Sequence, residues 1–213
     1  MHVQVITSAD AHLHLELLEQ TFRLRHRVFV EERGWSPSAH GDGREIDEYD
    51  DADAIYVVAV DGDEVVGGDR LRATLRPNLM SEVFASLLHR PAPVGRDVLE
   101  VTRHTVARER RCGRVECMLM AGVAEFCLAH GVGTLTAVVE TWWLPRLQQA
   151  GFSTRPLGLP AEIDGQDVLA LEIFVDPTAY RSVRRAAGLD RSVLHRSGPR
   201  TRGAFHERPS RLH

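Results

Sequence analysis

Apolar and polar positions change their period several times along the 213-residue chain, and each change marks an element. Residues 3–7, VQVIT, alternate as a short strand does. A helix is expected through AHLHLELLEQTFRLRHRVF, with Asp10 as its cap and Leu13, Leu17, Phe22 and Val28 as an approximate apolar stripe. The pattern then lapses. Residues 30–53 form a polar segment with Gly, Pro and Asp, too long for a routine connection and of the kind that is either functional or disordered. Two strands follow across a tight turn in AIYVVAV-DGDE-VVGGDRLRAT, because Asp-Gly between apolar runs is a hairpin signal.

Further on, MSEVFASLL reads as a short helix with Ser81 near its start. DVLEVTRHTV reads as a strand, and GRVECMLMAGVAEFCLAHG as a helix stopped by Gly131. GTLTAVV and DVLALEIFV are expected strands, TWWLPRLQQAG and DPTAYRSVRRAAG expected helices. This order predicts one α+β domain over residues 1–190, an α/β/α three-layer sandwich with a central hairpin and later crossover units.

Composition narrows the class. The chain is 43% apolar and 26% charged, as soluble enzymes are, and no apolar run approaches the roughly 20 residues of a membrane span. The start, MHVQVITSAD, lacks the basic flank and apolar region of a secretory signal, so a cytoplasmic location is expected. Cys112, Cys117 and Cys127 make an odd count without a CxxC pair, against a disulfide framework or a structural zinc. His12, His14 and Glu16 fall on different faces of a helix, and no metal site is expected. All 26 basic residues are arginine. That excludes a phosphate-loop lysine, a Schiff base and a lysine general base, and leaves arginine to meet carboxylates and phosphates. Residues 191–213 hold six Arg against one Glu, a net of +5, so the remaining 20 Arg against 29 acids leave −9. This basic stretch has few apolar residues and is expected to be a mobile tail; an acidic body argues against a nucleic-acid partner.

The chemistry concentrates in GREIDEYDD, where five of nine residues are acids: Glu45, Asp47, Glu48, Asp50 and Asp51. A calcium loop is disfavoured, because DEYDDADAIYVV lacks the glycine at the sixth position and runs straight into a strand. A solvated acidic loop is the plain alternative. Arginines and aromatics from distant segments favour a paired pocket instead: Arg25, Phe29 and Trp35 upstream, Arg70, Glu100 and Arg103 downstream. Glu100 and Arg103 are three apart on one strand and face opposite sides unless a bulge brings them together.

Taken in order, LRHRVF, GW, EIDEYD, GGDRL, SEVF and LEVTR, then QQAGF, LGLP, DG and ALEIFV, resemble the LuxI-type acyl-homoserine-lactone synthases over about residues 10–185. That family's signature falls here on Arg25, Phe29, Trp35, Asp47, Asp50, Arg70, Phe84, Glu100 and Arg103. Two places depart from it: His104 and Thr105 stand where an aromatic and a small residue are commoner, and TWWLP where the family is more aliphatic.

The resemblance implies a quorum-sensing signal synthase with a fold like the GCN5-related acetyltransferases. It needs no cofactor beyond its two substrates, S-adenosylmethionine and an acyl thioester on coenzyme A or acyl-carrier protein. Asp47 and Asp50 are expected near the sulfonium or bracing Arg70, with Phe29 and Trp35 covering the cation and Arg25, Arg70 and Arg103 on the carboxylate or the acids. Glu100 is either the base, through a water, or the structural partner of an arginine. The thioester arm is expected between strands DVLEVTRHTV and GTLTAVV. Arg108, Arg110, Arg111 and Arg114, in RERRCGR before a helix, suit an acidic carrier or coenzyme A phosphates, or form a solvated loop. Trp142 and Trp143 are expected to shorten the acyl pocket toward short, branched or aryl groups, and Thr141 to reach a 3-oxo group. An acetyl-coenzyme A-dependent N-acetyltransferase, for which RRCGRV is an imperfect loop, and a non-catalytic sensor of either substrate are the rival readings.

Overall fold

The computed structural model describes residues 1–35 and 41–195. Strands β1 (His2–Ile6), β2 (Ile55–Asp61), β3 (Glu64–Ala73), β4 (Val98–Val106), β5 (Thr134–Glu140), β6 (Ser153–Pro156), β7 (Ala161–Ile163) and β8 (Gln166–Phe174) form one mixed sheet in the order β1-β2-β3-β4-β5-β8-β6. β7 also pairs with β8. All pairings are antiparallel except β4 with β5.

Helix α1 (Leu15–Arg25) continues as a wider π-helical stretch over His26–Glu32, and α2 (Leu79–Glu82) is a single turn. α3 (Arg114–Ala129), α4 (Trp143–Ala150) and α5 (Pro177–Ala186) complete the set. The strands alternate between two apolar clusters, which fixes the layers. Ile55 and Val57 pack with Met118 and Ala121 of α3 and Val183 of α5, whereas Tyr56, Val58 and Val60 pack with Leu24, Val28 and Phe29. The sandwich expected from the element order is therefore the fold. No helix among the described residues is long and apolar enough to cross a membrane.

The expected hairpin closes through a two-residue turn whose Gly62 has φ +64°, a conformation open to glycine at little cost. Three details differ from expectation. Asp10 caps no helix, because its carboxylate is taken by the Thr7 backbone and hydroxyl at 2.7 and 2.9 Å; α1 starts only at Leu15 and Leu13 is exposed. The turn at α2 is capped by Asn78, with Ser81 completing a reciprocal capping box. The body also runs past residue 190. Val193 is buried, and Val193–His195 lie along β1 through Val3 N–H to Val193 O at 2.8 Å and His195 N–H to Val3 O at 2.7 Å. Residues 196–213, most of the expected tail, lie outside the described residues.

Two sheet irregularities shape the site. β4 and β5 pair only over Val98–Glu100 and Thr134–Thr136, then part. Opposite β3 the register jumps from Arg70↔Thr102 to Gly68↔Thr105, so Arg103 and His104 together face Asp69. Arg103 takes φ +57° to make this bulge.

Candidate active site

The acidic loop folds on its own side chains first. Asp47 Oδ1 accepts from the Tyr49 N–H and Asp50 Oδ2 from the Asp47 N–H, both at 2.9 Å. Turns of this kind satisfy the backbone locally and aim the carboxylates inward. Six charges then alternate. Arg25 forks onto Asp50 at 2.7 and 2.8 Å and donates through Nε to Glu45. Arg70 forks onto Asp47, lies 3.0 Å from Asp50, and donates through Nε to Thr102 at 3.2 Å. Arg103 closes the array on Glu45 at 3.0 Å and on Asp47. The Tyr56 hydroxyl adds a 2.9 Å bond to Asp50. Three arginines thus meet three carboxylates, and the cluster is neutral as a unit.

Burial alone would raise the Asp50 carboxyl, but Arg25 and Arg70 hold it well below the usual carboxylate range. Burial lowers the Arg103 guanidinium and prevails over Glu45 and Asp47. At Glu100 burial also prevails and raises the carboxyl, against N–H bonds from Met80 and Leu79 that favour its charged form. Those two N–H groups belong to the first turn of α2, so Glu100 ties the start of that turn to β4.

Beside the cluster a cavity of about 890 Å³ fills the gap where β4 and β5 part. One lobe is charged and aromatic, with Asp47, Arg103, Phe29 and Trp35. Phe29 and Trp35 stack with centroids 5.2 Å apart and planes 4° apart, and the Arg103 guanidinium lies 5.7 Å over Phe29. The other lobe is apolar, between β5 and the α3–α4 layer, with Met120, Val123, Leu135, Ala137, Val139 and Leu147. Trp142 and Trp143 stack at its mouth with centroids 5.0 Å apart, and Arg146 spans both at 4.7 and 5.7 Å. Phe84 and Glu100 reach the same cavity from the opposite side of the sheet.

The bulge at Arg103 is what lets Glu100 and Arg103 border one cavity, as their spacing required. Other expected residues sit elsewhere. Arg25, Asp50 and Arg70 do not line the cavity; their polar groups are consumed within the ion cluster, where Arg25 braces two acids. Thr141 follows β5 and lies outside the lining, its N–H bound to Asp167 O at 2.9 Å. Asp51 is half exposed and forks with Arg72 at 2.7 and 3.0 Å. The arginine quartet before α3 divides. Arg110 pairs with Asp61 at 3.0 Å and Arg111 with Glu32 at 2.7 Å at the cavity edge, while Arg108 and Arg114 are exposed and have no ion-pair partner among the described residues. Sequence reasoning missed Glu45, Tyr56 and Asp69. Of these only Glu45 carried a signal, its place in the acidic run.

Comparison with known proteins gives this arrangement its family. The autoinducer synthase family model matches residues 10–183. The isovaleryl-homoserine lactone synthase of Bradyrhizobium diazoefficiens is 42% identical over 93% of this chain and 90% of its own. An acyl-homoserine-lactone synthase of Ralstonia nicotianae is 35% identical over 71% of this chain and 79% of its own. Among solved structures, the coenzyme A-dependent acyl-homoserine lactone synthase BjaI, with S-adenosylmethionine and isopentyl-coenzyme A, superposes with a TM-score of 0.89 at 42% identity over 94% of this chain and 95% of that one. A putative N-acetyltransferase from Lactobacillus plantarum, with a TM-score of 0.58 at 19% identity, shares the fold alone. The chain belongs to the autoinducer synthases and is an acyl-transferring enzyme, an acyl-homoserine-lactone synthase.

Proposed function

We propose that this synthase joins S-adenosylmethionine to a short, branched acyl group delivered on coenzyme A. The observation that carries this reading is the single cavity at the strand splay, charged at one end and apolar at the other. A donor with a sulfonium, an α-amine and a carboxylate suits the charged lobe, and an acyl thioester suits the apolar one. The amine nitrogen attacks the thioester carbonyl, the amide C–N bond forms and the C–S bond breaks, releasing thiol. The donor's carboxylate oxygen then displaces methylthioadenosine from the γ-carbon and closes the lactone. Each substrate brings its own leaving group, so the reaction calls for no resident cofactor.

In this reading Phe29 and Trp35 cover the sulfonium, a cation–π contact worth about 0.5–2 kcal/mol. Arg103 and Asp47 meet the donor's carboxylate and cationic groups, while Arg25, Asp50 and Arg70 hold them in place. Glu100 positions the wall formed by α2. Trp142 and Trp143 cap the apolar lobe and favour a short or branched chain. Arg114, the first residue of the 16-residue α3, and Arg108, in the turn before it, have no ion-pair partner among the described residues and suit the coenzyme A phosphates. The relative that makes isovaleryl-homoserine lactone supports the branched donor.

The test is incubation with S-adenosylmethionine and a panel of thioesters, isovaleryl, aryl and C8–C12, on coenzyme A and on carrier protein, followed by mass spectrometry. Isovaleryl-homoserine lactone with matching methylthioadenosine is the expected product. Preference for a C8–C12 carrier-protein thioester would overturn the acyl and donor assignments, and binding without methylthioadenosine release would point to a sensor.

A further inference from the structure

Between the two lobes stands His104, the second residue of the β4 bulge. Its Nδ1 lies 2.8 Å from Asp69 Oδ1 on β3, and Asp69 is only 5% exposed. An ionised carboxylate can only accept, so Nδ1 carries the hydrogen and the neutral ring keeps its lone pair on Nε2. That nitrogen is buried and has no hydrogen-bond partner among the described residues. Leaving a buried polar atom unmatched costs about 1–3 kcal/mol, which calls for an explanation in the site it occupies.

Position supplies one. Arg103, the preceding residue, belongs to the charged lobe, and the imidazole meets Trp143 of the apolar lobe edge to face, with centroids 4.8 Å apart and planes at 86°. Asp69 and His104 both line the cavity. The attacking amine and the thioester carbonyl must meet where the two lobes meet. Glu100, the other basic group there, already receives two backbone N–H bonds.

We propose that His104, oriented by Asp69, is the general base that takes the proton from the attacking amine during acyl transfer. The inference rests on the acyl-transfer reading above. The neutral amine adds to the carbonyl carbon, and the proton of the new ammonium passes to Nε2. The oxyanion then collapses, the C–S bond breaks, and the departing thiolate takes the proton from the imidazolium, returning the ring to neutrality. Ring closure by a carboxylate releases no proton, so His104 serves the first step only.

The charged groups around the ring are Asp69 on β3, Glu116 on α3 and Arg33 after the π-helical stretch. Glu116 pairs with Arg146 at 3.2 Å and Arg33 with Glu140 at 2.7 Å. Burial depresses the imidazole, but Asp69, with help from Glu116, outweighs it and Arg33, so the ring holds its proton more tightly than free imidazole does.

The experiment measures the two steps separately in wild type, His104→Phe and Asp69→Asn. Thiol release from S-adenosylmethionine and the best acyl-coenzyme A reports the first step; methylthioadenosine release from pre-acylated S-adenosylmethionine reports the second. His104→Phe keeps a ring against Trp143. It should lower thiol release by about 10²- to 10⁴-fold and reduce the acid-limb slope from about two to about one, because only the amine then has to be neutral. Lactonisation should stay within about two-fold. Asp69→Asn removes the charge that raises the ring's pKa, so the acid limb should move to lower pH. Thiol release within about three-fold of wild type with an unchanged slope would refute the proposal, as would equal loss in both steps, which marks a packing role. If wild type releases thiol from no acyl-coenzyme A, the donor assignment fails instead, and the same comparison on carrier-protein thioesters decides the role of His104.

Discussion

Replacing Asp50 by Asn tests whether the ion cluster is one unit. The Asp50 side chain is fully buried. Oδ1 receives Arg25 Nη1 at 2.7 Å and the Tyr56 hydroxyl at 2.9 Å, with Arg70 3.0 Å away; Oδ2 receives Arg25 Nη2 at 2.8 Å and the Asp47 N–H at 2.9 Å. An amide has one acceptor and one double donor. Whichever way it is placed, its NH₂ confronts a guanidinium N–H, and two inward charges of +1 lose a shared counter-charge. Charge-assisted bonds contribute about 1.5–3 kcal/mol each, and breaking one partner of a buried pair costs about 3–5 kcal/mol. The expected loss is therefore about 3–5 kcal/mol out of a total of about 5–15. Urea unfolding at pH 7 should show a lowered midpoint with an unchanged slope, and exposed Glu109→Gln should stay within about 0.5 kcal/mol of wild type. The pH dependence has a definite sign. The carboxyl of Asp50 is depressed in the folded state, so its contribution is full above the unfolded Asp value and declines as pH falls through the folded one. The gap between wild type and variant should thus narrow below about pH 4. A loss under about 1 kcal/mol at pH 7 would refute the reasoning, because the two arginines would then be stable without their shared acid.

Three further outcomes are expected. Arg103→Gly relaxes the φ +57° bulge but removes the side chain that pairs with Glu45 and Asp47; kcat/KM for S-adenosylmethionine should fall about 10²-fold, near 2.7 kcal/mol, and Tm should fall with it. Unaltered kinetics would remove Arg103 from the donor site. Trp143→Ala opens the apolar lobe, and each added methylene should raise kcat/KM about four-fold, from about 0.8 kcal/mol per buried CH₂, until the space is filled. A preference still peaking at short chains would show that another residue sets the limit. Gly158→Ala places a Cβ 2.0 Å from the Leu87 carbonyl oxygen, so urea titration should show a loss of about 1–3 kcal/mol or more. A neutral result would mean that the loop between β6 and β7 yields freely.

The long elements were legible because their apolar periods are long: β2, β3, β8 and α3 each bury a continuous face. β6 and β7 were not. STRP carries a proline and an exposed arginine on a short outer strand, and AEI has only three residues, so neither shows a period. The site was legible as a set of residue types and less so as roles. A sequence cannot distinguish an arginine that touches substrate from one, like Arg25, whose fork is spent on two acids behind the wall. Nor does residue spacing reveal the Asp69–His104 contact, which exists because the bulge sets two residues of β4 against one of β3. The need for that bulge was visible only as a conflict, Glu100 and Arg103 on opposite faces of a regular strand.

Three residue pairs are all that join β4 to β5. In the proposed reading, the chain before that seam carries the grip on the common donor, and after it comes most of the wall that measures the acyl tail. Mutation can therefore redraw the second half while the first keeps its hold on an unchanged metabolite. The message spelled by the tail is free to drift into a new dialect, and the grammar that attaches it to the lactone stays as it was.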